Sequence, residues 1–274
     1  MIRLGQNFLT DLNLLEAIVR DSGAGPGDVV LEIGGGEGSL TARLAPRVSH
    51  LHVVELDERL REPLETVAAA AGNVSLHFGD AMKIELAALE PRPTRIVANL
   101  PYAIATPLLI GTIEALPELR EWTVMVQREI ADRLRAAPGT SEYAASSVIV
   151  QLACKVELLR PVGREVYSPP PRVDSALLHL RRYAPSPPAE LRELVRAGFA
   201  HRRKTLARSI ELVARVAEPG WLVASSDREQ VRAALERLGR PSDARAETLS
   251  PGEFVALAAA LGIHQATRAP AGEG

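Results

Sequence analysis

The sequence predicts an α/β protein with a mostly parallel seven-stranded sheet, followed by a small all-helical region. From Asp28 to about Arg182, short β-branched runs alternate with helical stretches, and beyond a proline-rich segment apolar residues recur only at helical spacing. Strands that alternate with helices along a chain form parallel sheets covered by helices on both faces. With 46% hydrophobic and 24% charged residues, the composition is that of a folded globular protein and excludes a disordered chain.

The predicted strands are short apolar runs bounded by turn residues. They cover residues 29–33, 51–56, 74–78, 95–100, 122–126, about 147–159 and about 173–181. A charged helix is expected from about Asp57 to Ala71, directly after the second strand. The last two strands are joined through the segment Ser-Pro-Pro-Pro at 168–171 with no clear helix between them, so we expect that pair to be antiparallel.

A proline-rich segment divides the chain. Residues 183–188 read Tyr-Ala-Pro-Ser-Pro-Pro, and closely spaced prolines resist both helix and strand. We therefore predict a first domain over residues 1–182, a linker over 183–188 and a helical domain over 189–274. In the last of these, Ser250 is expected to cap a helix that has Pro251 at its first position. Residues 269–274 are expected to form a frayed tail.

Composition also limits the partners. Thirty-two Lys and Arg against 34 Asp and Glu give a net charge of −2, so any RNA contact must come from a local basic patch. Cys154 is the single cysteine, which excludes an internal disulfide and a multi-cysteine metal site and suits a reducing cytosol. No apolar run approaches the roughly 18 residues of a membrane span, and the first residues lack the apolar core of a secretory signal. We expect a cytoplasmic protein without a metal.

The first motif with chemical meaning is a glycine loop after the first strand. Gly34, Gly36 and Gly38 follow the acidic Glu32, and glycines let a backbone approach a ligand closely. A dinucleotide fingerprint would need glycine at 39, where Ser39 stands. The spacing instead resembles motif I of the S-adenosylmethionine-dependent methyltransferases. The alternative is a glycine-rich turn that binds nothing.

Two acidic residues follow the next strands. Glu55 comes about 20 residues after Gly34, where nucleotide-binding α/β folds place the acid that binds ribose hydroxyls. Asp57 competes for that role, but we expect it to cap the following helix. Asp80, which precedes Ala81 and Met82, is a candidate acceptor for an adenine amino group; the alternative is that it caps a turn.

The most informative segment is Asn-Leu-Pro-Tyr at the end of the fourth strand. The side-chain amide oxygen of Asn99 and the carbonyl of Leu100 are acceptors suited to an exocyclic amine whose nitrogen becomes tetrahedral as it attacks a methyl group. Pro101 fixes the backbone, and Tyr102 offers a ring on which an extruded base can stack. The alternative is a strand-end turn with an interfacial tyrosine.

With these motifs the sequence resembles the ribosomal RNA adenine dimethyltransferases, over nearly the whole chain. The resemblance rests on Gly5-Gln-Asn-Phe-Leu9, Glu32-Ile-Gly-Gly-Gly, Asn99-Leu-Pro-Tyr and Ser168-Pro-Pro-Pro-Arg-Val-Asp-Ser175. The segment from Phe199 to Leu206 is similar to the basic helix of the bacterial KsgA branch. That branch converts two adjacent adenines near the 3′ end of 16S rRNA to N6,N6-dimethyladenine in the small ribosomal subunit or its precursor, and it also acts in subunit biogenesis.

The resemblance implies a class I, Rossmann-like methyltransferase domain that uses S-adenosylmethionine, with a helical RNA-docking domain, acting as a monomer. It assigns the cofactor to Asn7, Leu9, Gly34, Gly36, Glu55, Asp80, Ala81 and Asn99. It assigns the target amine to Asn99, Leu100, Pro101 and Tyr102. This chain departs from the family at Ala103 and Ala105, where polar residues are usual.

The RNA-binding candidates are basic residues of the helical region. They are Arg202, Arg203, Lys204 and Arg208, which we expect on one helix that turns Leu206 and Ile210 inward. The alternative is a solvated face without a partner.

Two other functions share many of these features. An Erm-type enzyme would methylate an adenine of 23S rRNA with the same cofactor and amine motifs. A binding factor would keep the fold without the chemistry, but here both the glycine loop and the Asn-Leu-Pro-Tyr motif are intact.

Overall fold

The computed structural model describes residues 7–215 and 227–263. The chain divides into two compact units, one made of Met1–Arg135 with Ala153–Pro185 and the other of Ala136–Leu152 with Ser186–Gly274. Residues 136–152, which we predicted as part of the first domain, group with the C-terminal helices. The predictions for Gly5, Gln6 and the tail at 269–274 lie outside the described residues.

Among the described residues of the first unit, seven strands form one sheet and two short strands form another. In chain order they are β1 (Phe8–Leu9), β2 (Val29–Ile33), β3 (His50–Glu55), β4 (Val74–Phe78), β5 (Arg95–Asn99), β6 (Glu121–Gln127), β7 (Cys154–Val162), β8 (Tyr167–Ser168) and β9 (Ser175–Arg182). The large sheet has the order β4-β3-β2-β5-β6-β9-β7.

The large sheet is mostly parallel, as predicted. β4, β3, β2, β5 and β6 run parallel, and β9 is antiparallel to both β6 and β7. The chain leaves β2 toward β3 and β4 on one side and returns to β5 and β6 on the other. Such a reversal of strand order opens a crevice at the carboxyl ends of the two central strands, which is where open α/β sheets bind ligands.

Helices of the first unit bury an apolar side against this sheet. They are α1 (Leu12–Ser22), α2 (Thr41–Leu44), α3 (Arg61–Ala71), α4 (Ala105–Ala115) and α5 (Arg128–Arg135). α1 begins where the side chain of Asp11 accepts a hydrogen bond from the Leu14 amide at 2.8 Å. Its residues Leu15, Ile18 and Val19 are buried in the core, because they recur at helical spacing.

The small sheet fixes the first described residues beside the large one. Phe8 pairs with Ser168 and Leu9 with Tyr167 in antiparallel register. Both the amide and the hydroxyl of Thr10 donate to the Val166 carbonyl, at 3.0 and 3.1 Å. Leu9 and Tyr167 are buried in the core, so the pair is held by apolar packing as well as by backbone hydrogen bonds.

The second unit is helical in its described residues. Its helices are α6 (Ala145–Ala153), α7 (Ala189–Ala200), α8 (Leu206–Ala214), α9 (Arg228–Arg237) and α10 (Pro251–Ala260). The Phe199 ring lies between Tyr143 and Phe254, with centroids 5.8 and 5.9 Å away, and the buried Tyr143 hydroxyl donates to the Leu249 carbonyl. Ser250 caps α10 with Pro251 at its first position, as predicted.

The strand predicted over residues 147–159 is wrong in its first half. α6 runs through Ala153, and the strand β7 begins only at Cys154. The run Ser-Val-Ile-Val-Gln-Leu has high strand propensity, but its residues 148–150 are all buried, and a helix packed in an apolar environment tolerates β-branched residues.

Within residues 7–215 and 227–263 the structure contains no helix long and apolar enough to cross a membrane. In those ranges no group of three or more His, Cys, Asp and Glu side chains is arranged to hold a metal ion.

Three histidines share one face of β3 and β4. His52 Nδ1 lies 3.1 Å from His77 Nε2, His52 Nε2 lies 2.8 Å from the Pro91 carbonyl oxygen, and the His50 and His52 rings meet edge to face. Burial lowers the pKa of all three below the ordinary value of 6.5; the neighbouring histidines lower it further. The cluster is therefore stable when it is uncharged.

This cluster predicts a loss of stability in mild acid. Because the folded-state pKa values are depressed, the unfolded chain binds more protons below about pH 6.5, and the free energy of unfolding falls as the pH falls through that range. We expect the urea midpoint to decrease between about pH 7.5 and 5.5, and to decrease less in His77→Asn. The control is His201→Asn, an exposed histidine, which should keep the wild-type pH dependence. An equal decrease in His77→Asn would contradict the assignment.

Candidate functional site

A cavity of about 280 Å³ lies at the carboxyl ends of β2, β3 and β5 in the first unit. The β1–β8 pair closes one side of it. The residues that line it are Asn7, Phe8, Leu9, Leu15, Glu32, Gly34, Gly35, Gly36, Glu37, Ser39, Leu40, Glu55, Leu56, Asn99, Leu100, Pro101, Tyr102, Ala103 and Tyr167. The structure thus brings together the glycine loop, the ribose-binding candidate and the Asn-Leu-Pro-Tyr segment.

The glycine loop needs its glycines for conformation and for space. Gly34 and Gly36 have φ angles of 84° and 58°, in the left-handed region that other residues resist. A Cβ atom on Gly34 would lie 3.4 Å from the Asn99 carbonyl oxygen, and one on Gly36 would lie 3.5 Å from the Phe8 ring. Side chains here would fill the cradle between β2 and β5, so the loop is shaped for close approach of a ligand.

Glu55 connects two loops at the cavity. Its Oε2 accepts a hydrogen bond from the Gly36 amide at 2.9 Å, and its Oε1 accepts one from the Asp57 amide at 2.8 Å. Each carboxylate oxygen keeps a further lone pair for a ligand hydroxyl. Asp57, as predicted, caps the turn after β3: it accepts from the Arg59 amide and pairs with the Arg59 guanidinium at 2.6 Å.

Glu32 is a second buried carboxyl at the cavity. The Thr41 hydroxyl donates to it at 2.7 Å. Burial, reinforced by the nearby charge of Glu55, raises the pKa of Glu32 to about 8 even though the Thr41 hydrogen bond lowers it. At neutral pH Glu32 therefore keeps its proton and is uncharged.

The described residues that line the cavity include three glutamates and no Lys, Arg or His. Sites for phosphate groups normally offer cationic side chains or helix N-termini. A ligand without phosphates and with positive charge fits this set of residues, and S-adenosylmethionine has both properties together with ribose hydroxyls.

Asn99 is the last residue of β5 and the first of the four residues predicted to hold the target amine. The Leu100 amide donates to the Met125 carbonyl at 3.0 Å, which extends the sheet by one residue. Asn99, Leu100, Pro101 and Tyr102 all line the cavity, and Tyr102 is half-buried. Methyl transfer to an amine requires acceptors such as these amide and carbonyl oxygens beside the methyl donor.

Sequence reasoning missed Tyr167. This residue is 4% exposed. Its hydroxyl is the donor toward two acceptors, Asn99 Oδ1 at 3.4 Å and Ser175 Oγ at 3.0 Å. The Tyr102 hydroxyl meets the same Ser175 Oγ at 2.6 Å. The available signal was an aromatic residue directly before the Ser-Pro-Pro-Pro segment.

Asp80 and Ala81 are not among the residues that line the cavity. Asp80 Oδ1 accepts from the Met82 amide at 2.9 Å, and its backbone carbonyl accepts from the Lys83 and Ile84 amides, so the residue organises the turn after β4. The contact of Asp80 and Ala81 with the cofactor stays a prediction.

The basic segment differs from its prediction. Residues 201–204 form a turn between α7 and α8, not a helix, and Thr205 caps α8 by accepting from the Arg208 amide. Arg202 pairs with Glu247 at 2.9 Å and donates to the Ser141 carbonyl, whereas Arg208 pairs with Glu211 at 2.8 Å. Arg203 and Lys204 are exposed and form no ion pair with the described residues.

Taken together, the strand order, the glycine loop and the acceptor-lined cavity define an α/β methyltransferase that uses S-adenosylmethionine. Comparison with known proteins agrees. The chain belongs to the ribosomal RNA adenine dimethylase family, whose model matches residues 1–230.

Individual relatives cover almost the whole chain. The ribosomal RNA small subunit methyltransferase A of Rubrobacter xylanophilus is 44% identical over 93% of this chain and 92% of its own length. A dimethyladenosine transferase from Plasmodium falciparum superposes with a TM-score of 0.77 at 26% identity, covering 93% of this chain and 98% of that one. The 23S rRNA methyltransferase ErmE gives 0.64 at 26% identity, over 93% and 100%.

Substitution of two neighbouring acidic residues tests the prediction that Glu55 binds the ribose hydroxyls of the cofactor. We expect Glu55→Gln to weaken S-adenosylmethionine binding by at least about tenfold, because hydrogen bonds to a charged acceptor contribute about 1.5–3 kcal/mol. The matched control is Asp57→Asn, which alters a buried carboxyl two residues away that is engaged with Arg59. Calorimetric dissociation constants should separate the two variants; equal weakening in both would indicate general damage to the loop.

Proposed function

We propose that this chain dimethylates the N6 amino groups of two adjacent adenines near the 3′ end of 16S rRNA, in the small ribosomal subunit or its precursor. The observation that carries the proposal is that Asn99 and Leu100 line the same cavity as the glycine loop and Glu55. The name of the Rubrobacter relative supports the small subunit as the substrate. The higher similarity to small-subunit enzymes weighs against the 23S rRNA alternative.

The chain's residues bind and align the reactants. Glu55 accepts from the ribose hydroxyls, the glycine loop lets the backbone approach the cofactor, and Asn7 and Leu9 cover it. When bound, S-adenosylmethionine would supply a methyl group on a sulfonium, with a neutral thioether as the leaving group. The protein therefore needs neither a covalent nucleophile nor a strong base, and alignment provides most of the rate enhancement.

The target amine is activated by acceptors. Asn99 Oδ1 and the Leu100 carbonyl accept its two N–H groups and so favour the tetrahedral nitrogen whose lone pair points at the methyl group. Pro101 fixes the backbone between them, and Tyr102 stacks on the extruded adenine. The amine loses its proton to water after transfer. A monomethylated amine has one donor fewer, so one of the two contacts must be replaceable in the second round.

The helical unit serves as the RNA-docking domain. Arg203 and Lys204 are the phosphate contacts in this proposal, because Arg202 and Arg208 are engaged within the unit. The enzyme acts in the cytoplasm as a monomer and takes part in small-subunit biogenesis.

The substrate is tested directly. The protein is incubated with labelled S-adenosylmethionine and, separately, with unmethylated small subunits, naked 16S rRNA and 23S rRNA, and modified bases are mapped by mass spectrometry. We expect dimethyladenine at the adjacent 3′-end adenines of the small subunit. Label in 23S rRNA would replace this function by the Erm-type one. Cofactor binding without any label would indicate a binding factor.

Removal of the amide tests its role. Asn99→Ala should lower methyl transfer at least a hundredfold, since it removes an acceptor that acts in the transition state, comparable in size to the loss of an oxyanion-hole donor. Its dissociation constant for S-adenosylmethionine should change much less. Turnover close to that of the wild type would refute the role.

Charge reversal tests the docking surface. Arg203→Glu with Lys204→Glu should weaken binding to small subunits at least about tenfold and reduce its salt dependence, because two phosphate contacts are lost. Arg228→Glu, at an exposed position of α9, is the matched control and should bind nearly normally. Cofactor affinity should be unchanged in both; a loss in the double variant would show that the turn is structural.

A further inference from the structure

Three hydroxyl groups connect Tyr102 to Asn99 inside the first unit. The Tyr102 hydroxyl meets Ser175 Oγ at 2.6 Å, Ser175 Oγ meets the Tyr167 hydroxyl at 3.0 Å, and that hydroxyl reaches Asn99 Oδ1 at 3.4 Å. Ser175 is fully buried and Tyr167 nearly so. Bulk water therefore does not compete for the inner two contacts.

The Tyr167 hydroxyl is the donor in two of these contacts. Each hydroxyl donates one proton, and an amide oxygen only accepts. The Tyr167 hydroxyl points toward both Ser175 Oγ and Asn99 Oδ1, so these two acceptors share its proton. Burial raises the pKa of the Tyr167 hydroxyl above its usual range, so it stays protonated and able to donate.

We propose that Tyr167, held by Ser175, is a positioning residue that orients the Asn99 amide so that its oxygen faces the target amine. Without a partner, an amide at a strand end can exchange its oxygen and nitrogen, and the nitrogen would repel the N–H groups of an amine. The hydrogen bond from Tyr167 occupies one lone pair of Oδ1 and leaves the other for the substrate. This inference rests on the proposed role of Asn99.

The length of the contact between the Tyr167 hydroxyl and Asn99 Oδ1 is consistent with this role. At 3.4 Å it is longer than a strong O–H···O bond. Hydrogen bonds in catalytic sites tighten when the substrate binds, and here the amine would draw the same amide oxygen into line. The pairing of β1 with β8 fixes Tyr167 from the other side, because Tyr167 lies opposite Leu9 in that register.

The test removes single hydroxyls. Tyr167→Phe keeps the ring that lines the cavity, and Ser175→Ala removes the acceptor that holds the Tyr167 hydroxyl in place. For both we expect the single-turnover rate of methyl transfer, at saturating S-adenosylmethionine and small subunits, to fall about tenfold, which corresponds to one net hydrogen bond. The KM values for cofactor and subunit should stay within about twofold.

The matched control is Tyr143→Phe. Its hydroxyl is also buried and donates to a backbone carbonyl, but in the helical unit. This variant should lose thermal stability and keep the wild-type single-turnover rate, so it separates loss of a buried hydroxyl from loss of the positioning contact.

The outcomes distinguish the proposals. An active wild type with an unchanged rate in Tyr167→Phe would overturn the positioning role and leave the proposed function intact. A fall in rate matched by an equal rise in the KM for S-adenosylmethionine would also overturn it, because the residue would then shape the cofactor cavity. A wild type that methylates no small-subunit adenine would overturn the function and this inference together.

Discussion

The reversal of strand order at β2 is the constraint on which the site depends. Because β3 lies on one side of β2 and β5 on the other, the loops that follow these strands diverge and leave a crevice at their carboxyl ends. Gly34, Glu55 and Asn99 each stand at the end of one of these strands. Their separation in sequence is large, and parallel pairing of the strands is sufficient to bring them together.

Hydrogen bonds from Glu55 keep that crevice in shape. Its two carboxylate oxygens accept from the Gly36 and Asp57 amides, so one side chain joins the loop after β2 to the loop after β3. The cost of burying this carboxylate is offset by those two donors and by a ligand that brings hydroxyl groups or positive charge. In the proposed function, the ligand contact therefore comes from the same carboxylate that makes these structural contacts.

Much of this could be predicted from sequence, and the failures have physical causes. The glycine loop, Glu55 and Asn99 were predictable, because special backbone angles and strand-end acids leave local signals. The helix at 145–153 was not, since its branched residues favour a strand unless tertiary packing decides otherwise. The turn at 201–204 was missed because a run of basic residues has no hydrophobic periodicity that would mark the end of a helix. Thr205 then caps a new helix that begins at Leu206. Tyr167 contacts Ser175 and Asn99, and the pairing of Tyr167 with Asn99 across 68 residues leaves no local pattern in the sequence.

The distribution of charge within the cavity follows the needs of amine methylation. At the ends of β2 and β3, Glu55 accepts hydrogen bonds from two backbone amides, whereas Glu32, with a pKa of about 8, keeps its proton near pH 7. Around Asn99 the polar groups are an amide, a backbone carbonyl and the hydroxyls of Tyr102, Tyr167 and Ser175, and none of them is a carboxylate. A carboxylate there would hold the proton of the amine and bind the substrate more strongly than its transition state. Neutral acceptors instead strengthen as positive charge develops on the nitrogen, which gives differential stabilisation without a base.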